Sequence, residues 1–564
     1  MREPYQIVEI DQETCSLSHG IAPCTATGEP CYNTFATCQD TPNYTTSVLT
    51  LKFTHAKDRV ENGVIPSILS VSTTPTQLNP GGASKDKRAL GTRSTVTIQF
   101  QDHPYPDYFV DRYRTQRSYI ATERGTFWSK WLARNPYYKN TPIRIIDGDY
   151  TSGTSNTRHY IIERIDGPDS TGKVTLMGKD ILSIADDDKA LAPPPSNGEL
   201  IDDITTGTTT LRIAGADASE YPAPGFVRIG SNVIAYTGVS TINPNEINLT
   251  GCTQGQRGTE ASGADAGDRV QWCLEYADQT VYETVYDLLT TYGKVNPSFI
   301  TLADWQAENN VWLLPFNVSR LITEPVGVTK LVSQISESML VNIWYDERQQ
   351  KIRFKAVRPE VAAIASLNDD THIIADSVDI HRAEDERYSQ IWLFHGQRDP
   401  TKKDDDESNW YKLRIAVDGE NPYNEDNIKK IYSPWVQTST QAQSIANRLL
   451  NRYKRTPIYI EMMLDYKDGA IWTGDITDIS TDGLVDATGA PVTARYQILS
   501  SEEVESGHKI AYKAINAVYF GTFSAWMAAD APDYNTATDE QKTIGCYWAD
   551  SNGLINGQTG YEWQ

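Results

Sequence analysis

The sequence predicts an α+β, β-rich multidomain protein. Three observations carry that prediction. At 564 residues the chain is too long for one core, and the usual domain size gives roughly three to five domains. Period-two alternation of apolar and polar residues recurs through the first third, whereas helical periodicity is confined to a few later stretches. Aromatic residues reach 10%, with 31 Tyr and 13 Trp, an enrichment typical of β-rich domains and broad protein contacts.

The elements follow in order. Residues 1–50 are cysteine-rich and turn-rich and read as a segment of their own. A β-rich domain is expected over 51–190, since VLTLKF (Val48–Phe53), STVTIQF (Ser94–Phe100), IRIID (Ile143–Asp147), HYIIERI (His159–Ile165) and KVTLMGKDIL (Lys173–Leu182) all have strand character. GTFWSKWLARNP (Gly125–Pro136) predicts a short helix stopped before Pro136. DDDKALAPPPSNG (Asp186–Gly198) reads as a hydrated linker, because an acidic run is followed by three prolines that fix extended backbone. Residues 196–275 look like a small inserted β module with a hairpin around Gly230–Asn232.

Helical periodicity then begins an α/β domain over 276–365. Val281, Val285, Leu288, Leu289 and Tyr292 share one face, as do Val328, Val332, Ile335 and Met339. Thr301 and Asp304 are placed for a capping box, and Val341–Asp346 and Lys351–Val357 for a hairpin. Residues 366–520 read as a mixed α+β domain containing one good helix, Thr440–Lys454, with Ala442, Ile445, Ala446, Leu449 and Tyr453 as its apolar stripe. The end, 521–564, has little regular pattern and is expected to be an extended arm.

Formal net charge is −23, and Lys and Arg form no cluster able to neutralise a row of phosphates. That argues against a sequence-specific nucleic-acid binder. No run approaches the roughly 18 apolar residues that a membrane helix needs, and the opening MREPYQIVEID has no secretory h-region, so a cytoplasmic origin is expected. Disulfides are rare in that compartment, and clustered cysteines there need another explanation.

Four of the seven cysteines, Cys15, Cys24, Cys31 and Cys38, stand in the pattern C-x8-C-x6-C-x6-C. Four thiolates from one segment suit a [4Fe–4S] cluster or structural zinc. The short knuckles of zinc ribbons are absent, and the wide gaps, turned by Gly20, Pro23, Gly28 and Pro30, leave room to wrap a cluster. Spacing alone leaves cluster, zinc, disulfides and free thiols all open. His19, between two of the cysteines, reads as a loop residue, and Cys252 and Cys273 as unpaired buried thiols that a hairpin could bring together.

The phrase DQETCSLSHGIAPCTATGEPCYNTFATCQD (Asp11–Asp40) resembles the cysteine segment of a siphophage tail-tip and baseplate hub family, which includes the lambda-like tail-tip proteins and the hub of gene transfer agents. CYNTFATCQD (Cys31–Asp40) is its most specific part. TGCTQGQRGTEASGADAGDRV (Thr250–Val270), WYDERQQKIRFKAVRP (Trp344–Pro359) and the phrase Ala531–Gln564 are similar to hub sequence as well, whereas 51–190 matches only loosely. The resemblance implies hub domains and a [4Fe–4S] cluster on Cys15, Cys24, Cys31 and Cys38, with zinc as the alternative cofactor. It also implies a structural, non-enzymatic homotrimer in the virion tail tip, assembled in the host cytoplasm. Such a hub would line or close the DNA channel and contact the distal tail protein, other tail-tip proteins and the tape measure protein.

Two other functions stand as alternatives, a cell-wall hydrolase of the tip and a receptor-binding protein. Paired carboxylates run glycoside hydrolysis, and Asp147/Asp149, Asp475/Asp478 and Glu502/Glu503 are the pairs available. The DGD at 147–149 reads instead as a hairpin turn, and TGDITDIS (Thr473–Ser480) as a strand with polar residues outward. No H-E-x-x-H, G-x-S-x-G or P-loop pattern is present.

Overall fold

The computed structural model describes residues 2–517 apart from 61, 83–88, 187–189, 315 and 360–361, with a few residues beyond 517. Seven strands near the start close into a barrel: β1 (Pro4–Cys15), β2 (Thr46–His55), β3 (Val64–Thr74), β4 (Thr95–Gln101), β5 (Pro142–Asp149), β6 (Thr154–Asp166) and β7 (Lys173–Lys179). Their order is β1-β2-β3-β4-β7-β6-β5, and β5 pairs back onto β1. Only the β2–β3 pairing is parallel. Alternation builds the interior: Val96, Ile98 and Phe100 of β4 and Val174 and Leu176 of β7 point inward and are buried. Helix α1 (Phe127–Arg134) adds Phe127, Trp128 and Trp131 to the same core, with Trp128 stacked on Phe53 at 5.6 Å.

The barrel changes the standing of the cysteine segment. The sequence sets residues 1–50 ahead of the first β domain. Instead, β1 is a barrel strand whose last pair is Cys15 with Thr46. The three later cysteines therefore sit in a loop, 16–45, between adjacent strands of one barrel.

The small β module follows, built from β8 (Leu191–Ala192), β9 (Glu199–Leu200), β10 (Thr210–Ala214), β11 (Gly225–Ile229), β12 (Asn232–Tyr236), β13 (Gly238–Asn243), β14 (Glu246–Thr250) and β15 (Gln271–Thr280). One sheet runs β13-β14-β10-β9 and packs through Leu211, Ile213, Ile247 and Leu249 against Val227, Ile234 and Tyr236. The β11–β12 hairpin forms where the Gly230–Asn232 signal lies. The proline-rich stretch is not a free hydrated linker. Ala190 and Ala192 are buried, and β8 pairs with a later strand, because proline-extended backbone with small methyls fits an edge pairing.

The next core joins α2 (Val281–Asp287), continued by a π turn at Leu288–Tyr292, to α3 (Leu302–Trp312), β16 (Asn317–Ile322), β17 (Val326–Gly327), α4 (Val328–Met339) and the hairpin β18 (Val341–Asp346)–β19 (Lys351–Ala356). β17 is the partner of β8, and β16 extends the sheet β12-β11-β15-β16. Thr301 is the N-cap of α3, yet its side chain makes no capping hydrogen bond, so the expected capping box is not formed.

The remaining strands divide between two cores. β20 (Ala365–Asn368) and β21 (Asp379–Arg382) lie at the two edges of a six-stranded sheet. β22 (Gln390–Gln397), β23 (Trp410–Val417) and β24 (Ile428–Ser433) form a three-stranded sheet. Helix α5 (Ser439–Tyr453) covers the latter, with Ala442, Ile445, Ala446, Leu449 and Tyr453 buried as its stripe predicts. These elements share one hydrophobic core with α2, α4 and the β18–β19 hairpin. β25 (Ile458–Asp465), β26 (Ile476–Val485), β27 (Pro491–Glu505) and β28 (Lys509–Asn516) complete the larger sheet, in the order β20-β26-β27-β28-β25-β21, around a separate core. The expected units 276–365 and 366–520 are thus interlaced. The fold is mixed α+β and strand-rich. The C-terminal arm expected over 521–564 lies almost entirely outside the described residues, as does Cys546.

Candidate functional site

The cysteine loop is shaped by backbone hydrogen bonds rather than by a core. Cys15 N–H donates to Asn33 O at 2.6 Å and Ser16 N–H to Thr45 O at 2.9 Å, which ties both ends to the rim of β1 and β2. Tight turns fold the interior: Cys24 N–H reaches Ile21 O, and Cys38 N–H reaches Phe35 O at the end of a 3₁₀ turn. Gly20 and Gly28 take φ of +67° and +92°, where a side chain would be strained.

Cys15, Cys24, Cys31 and Cys38 are all unpaired; Cys15 is buried and the other three are partly so. Cys15, Cys24 and Cys31 all lie within electrostatic reach of Cys38. The Cys38 thiol is pushed up by burial, pulled down by the Asp40 N–H that donates to its sulfur, and pushed up again by Cys31, Cys15 and Cys24. Among the described residues no three Cys, His, Asp or Glu side chains stand close enough to ligate a single metal ion. Four thiols on one loop are a donor set that either an iron–sulfur cluster or zinc could take. His19 is a loop residue, as expected: its N–H donates to the Tyr113 hydroxyl at 2.7 Å, and its ring lies 3.5 Å from the Gln39 amide oxygen.

A second layer, not foreseen from the sequence, packs on the loop from the β4–α1 connection. Arg117 donates to the carbonyls of Pro30 and Cys31 and is held by Asp111 at 2.8 Å. Its guanidinium lies 4.0 Å from the centre of the Tyr32 ring, and that of Arg134 lies 4.1 Å from it. The Tyr32 and Tyr119 hydroxyls share a hydrogen bond, and Arg112 donates to Ser16 O. The signal was present in YPDYFVDRYRTQRSYIATERG (Tyr105–Gly125), a stretch dense in Arg and Tyr within an acidic chain.

The carboxylate pairs are scattered and mostly engaged. Asp147 and Asp149 are buried at the end of β5, not in a solvated hairpin turn. The turn reading fails because these carboxylates find internal partners. Asp147 accepts from Arg158 at 2.6 Å and from Gln6 at 2.7 Å, while Asp149 accepts from the N–H groups of Glu3, Thr151 and Ser152. Burial pushes the Asp147 carboxyl up, but the Arg158 charge and its hydrogen bonds outweigh that and hold it below the usual range. Glu503 lies 3.8 Å from Arg158, and burial and the Asp147 charge push its carboxyl well up. Glu502 is raised chiefly by burial.

Asp478 pairs with Arg495 at 2.9 Å. Asp475, raised by burial, lines a polar cleft of about 700 Å³ with Trp344, Asp346, Arg348 and Trp472. Asp478 is not among that cleft's lining residues, so the pair does not face one site. Cys252 and Cys273 are unpaired and buried in separate clusters, and burial raises both thiols, Cys252 to about 11.

No family model matches this chain, and no curated protein matches it. Similar solved structures include a tail protein from Neisseria meningitidis MC58, at 11% identity and a TM-score of 0.37, covering 80% of this chain and 90% of that one. A 43 kDa prophage MuSo2 tail protein from Shewanella oneidensis is similar at 9% identity and a TM-score of 0.38, covering 80% and 98%. A chain of the virion of a native gene transfer agent particle is similar at 13% identity and a TM-score of 0.35, covering 58% and 83%. At these TM-scores the likenesses fix neither family nor function. Among the described residues no helix is long and apolar enough to cross a membrane.

Proposed function

We propose that this chain is a structural hub of the tail tip or baseplate of a phage or phage-like particle. In this reading it forms a homotrimer that connects the tail tube and distal tail protein to the tip and lines or closes the DNA channel. The observation that carries the reading is the gathering of four unpaired thiols, Cys15, Cys24, Cys31 and Cys38, on a loop whose sequence resembles the hub family's cysteine segment. Those four side chains would hold a [4Fe–4S] cluster, with zinc as the alternative. When bound, such a cluster supplies a covalent cross-link between four points of the loop, and its binding free energy stabilises the folded loop. The acidic surface suits a channel that DNA slides through without sticking.

The role is structural in this reading, not enzymatic. No observation favours the hydrolase or the receptor-binding alternative over it: Asp475 and Asp478 do not line one cleft, and Asp147, Asp149 and Asp478 are bound up in ion pairs or hydrogen bonds.

The test is anaerobic purification followed by iron and acid-labile sulfide analysis, absorption near ~400 nm as expected of iron–sulfur proteins, and mass by light scattering. A brown trimer carrying iron and sulfide is expected. A colourless, metal-free chain that still folds would remove the cluster, zinc without sulfide would replace it, and a monomer at high concentration would remove the hub.

A further inference from the structure

Arg117 occupies an unusual position for a loop arginine. Its side chain is 4% exposed and that of its partner Asp111 is 1% exposed. Asp111 receives Nε and Nη2, so the guanidinium plane is fixed, and the fork then donates to two successive carbonyls, Pro30 through Nη1 and Cys31 through Nη2. The next residue, Tyr32, lays its ring against the same guanidinium and joins its hydroxyl to Tyr119. One buried cation therefore holds the main chain on both sides of the Cys31 α-carbon and the side chain that follows.

A buried Arg–Asp pair contributes little to stability over an apolar pair of the same volume. What the pair offers here is geometric: only a planar fork, itself held by Asp111, spans two adjacent carbonyls.

We propose that Arg117 is a positioning residue for the cysteine centre, presenting the Cys31 sulfur by fixing the Pro30–Cys31 backbone. This rests on the reading of Cys15, Cys24, Cys31 and Cys38 as cluster ligands. Groups that orient metal ligands typically matter by ~10–100-fold in metal retention.

The test compares the full-length wild type with two variants after anaerobic reconstitution with ferrous iron and sulfide. Removing Arg117 alone leaves Asp111 as a lone buried charge, so the first variant is Arg117→Met with Asp111→Asn. The second, Arg117→Lys, keeps the charge but reaches only one carbonyl. The readouts are the rate at which a chelator bleaches the visible band and the midpoint potential of the centre.

At least about tenfold faster bleaching is expected in both variants, with a shifted midpoint potential in each, because both loosen the Cys31 backbone while neither changes the net charge. If the double variant is insoluble, Arg117→Lys decides by its bleaching rate. A wild type that binds iron and sulfide beside soluble variants of unchanged bleaching and potential overturns the role of Arg117 and leaves the cluster standing. A wild type that binds neither overturns both.

Discussion

Replacing Glu347 by glutamine should stabilise the chain at neutral and alkaline pH and leave it almost unchanged in mild acid. Glu347 lies in the turn between β18 and β19, where its main-chain carbonyl accepts from the N–H and Nδ1 of His159 in the barrel strand β6. Its side chain is buried at this junction, and Oε2 has no hydrogen-bond partner. Burial first, and then the charges of Asp346 and Asp180, prevail over the turn's N–H and Arg158 and raise the carboxyl to about 7.

In the unfolded chain the same group titrates like an ordinary glutamate. As pH climbs from that range towards about 7, the unfolded state releases its proton while the folded state keeps it, so stability falls. The gap between the two values corresponds to about 3 kcal/mol, fully lost above the folded-state value. Glutamine keeps the shape of the neutral acid and carries no proton to lose. The assay is the urea midpoint of wild type and Glu347→Gln at about pH 4 and about pH 8. Coincident midpoints in acid and a gap of about 3 kcal/mol at the higher pH are expected. An equal decline with pH in both proteins would refute the assignment of that decline to Glu347.

Arg158→Met should destabilise by about 3–5 kcal/mol, because it strands the buried Asp147 carboxylate, and adding Asp147→Asn should recover most of the loss in the same urea assay. Gly258 has φ of +82°, and a Cβ there would lie 1.9 Å from the carbonyl oxygen of Arg398. Gly258→Ala should therefore cost more than about 1 kcal/mol and loosen the small β module, read as faster proteolysis within 199–270; an unchanged digestion pattern counts against that contact. Cys31→Ser should lose iron and sulfide while keeping the barrel's tryptophan fluorescence and urea midpoint, and a barrel that unfolds with the cysteine would contradict a role confined to the loop.

Local patterns were legible where one periodicity decided the outcome. The α5 stripe, the β11–β12 and β18–β19 hairpins and the barrel strands β2, β4, β5, β6 and β7 all lie where alternation or helical spacing puts them. What failed to show was long-range pairing. Nothing local in PYQIVEIDQETC says that β1 lies between β2 and β5, since register depends on partners more than a hundred residues away. The same reason hid the interlacing of 388–453 with the α2–α4 core. Asp147 and Asp149 were misread because Asp-Gly-Asp is turn chemistry by composition, and only the arrival of Arg158 from β6 makes a buried strand end tolerable for Asp147. In the site, the four thiols were visible from spacing, whereas the Arg117–Asp111 clamp was masked by a stretch without strand or helix period.

The loop between β1 and β2 poses a folding problem that these observations answer together. Its ends are already neighbours, because Cys15 pairs with Thr46 in the barrel, so closing it adds little entropy cost beyond that of the barrel itself. Its interior is another matter. Ordering roughly 30 residues costs ~1–2 kcal/mol apiece, yet among the loop's apolar side chains only Ala26 is buried, while Ile21 and Phe35 are 65% and 49% exposed. Hydrogen bonds at a net ~0.5–1.5 kcal/mol each do not close that gap. The arginine–tyrosine clamp reaching over from the β4–α1 connection contributes from outside the local chain, and in the proposed reading a group held by the four thiols would add to it. Both act on the loop, whereas the barrel core beneath is complete without them. A cluster in this place would therefore fix the shape of an exposed rim, where Phe35 packs edge-on to Tyr44 and Tyr137, rather than the stability of the domain that carries it.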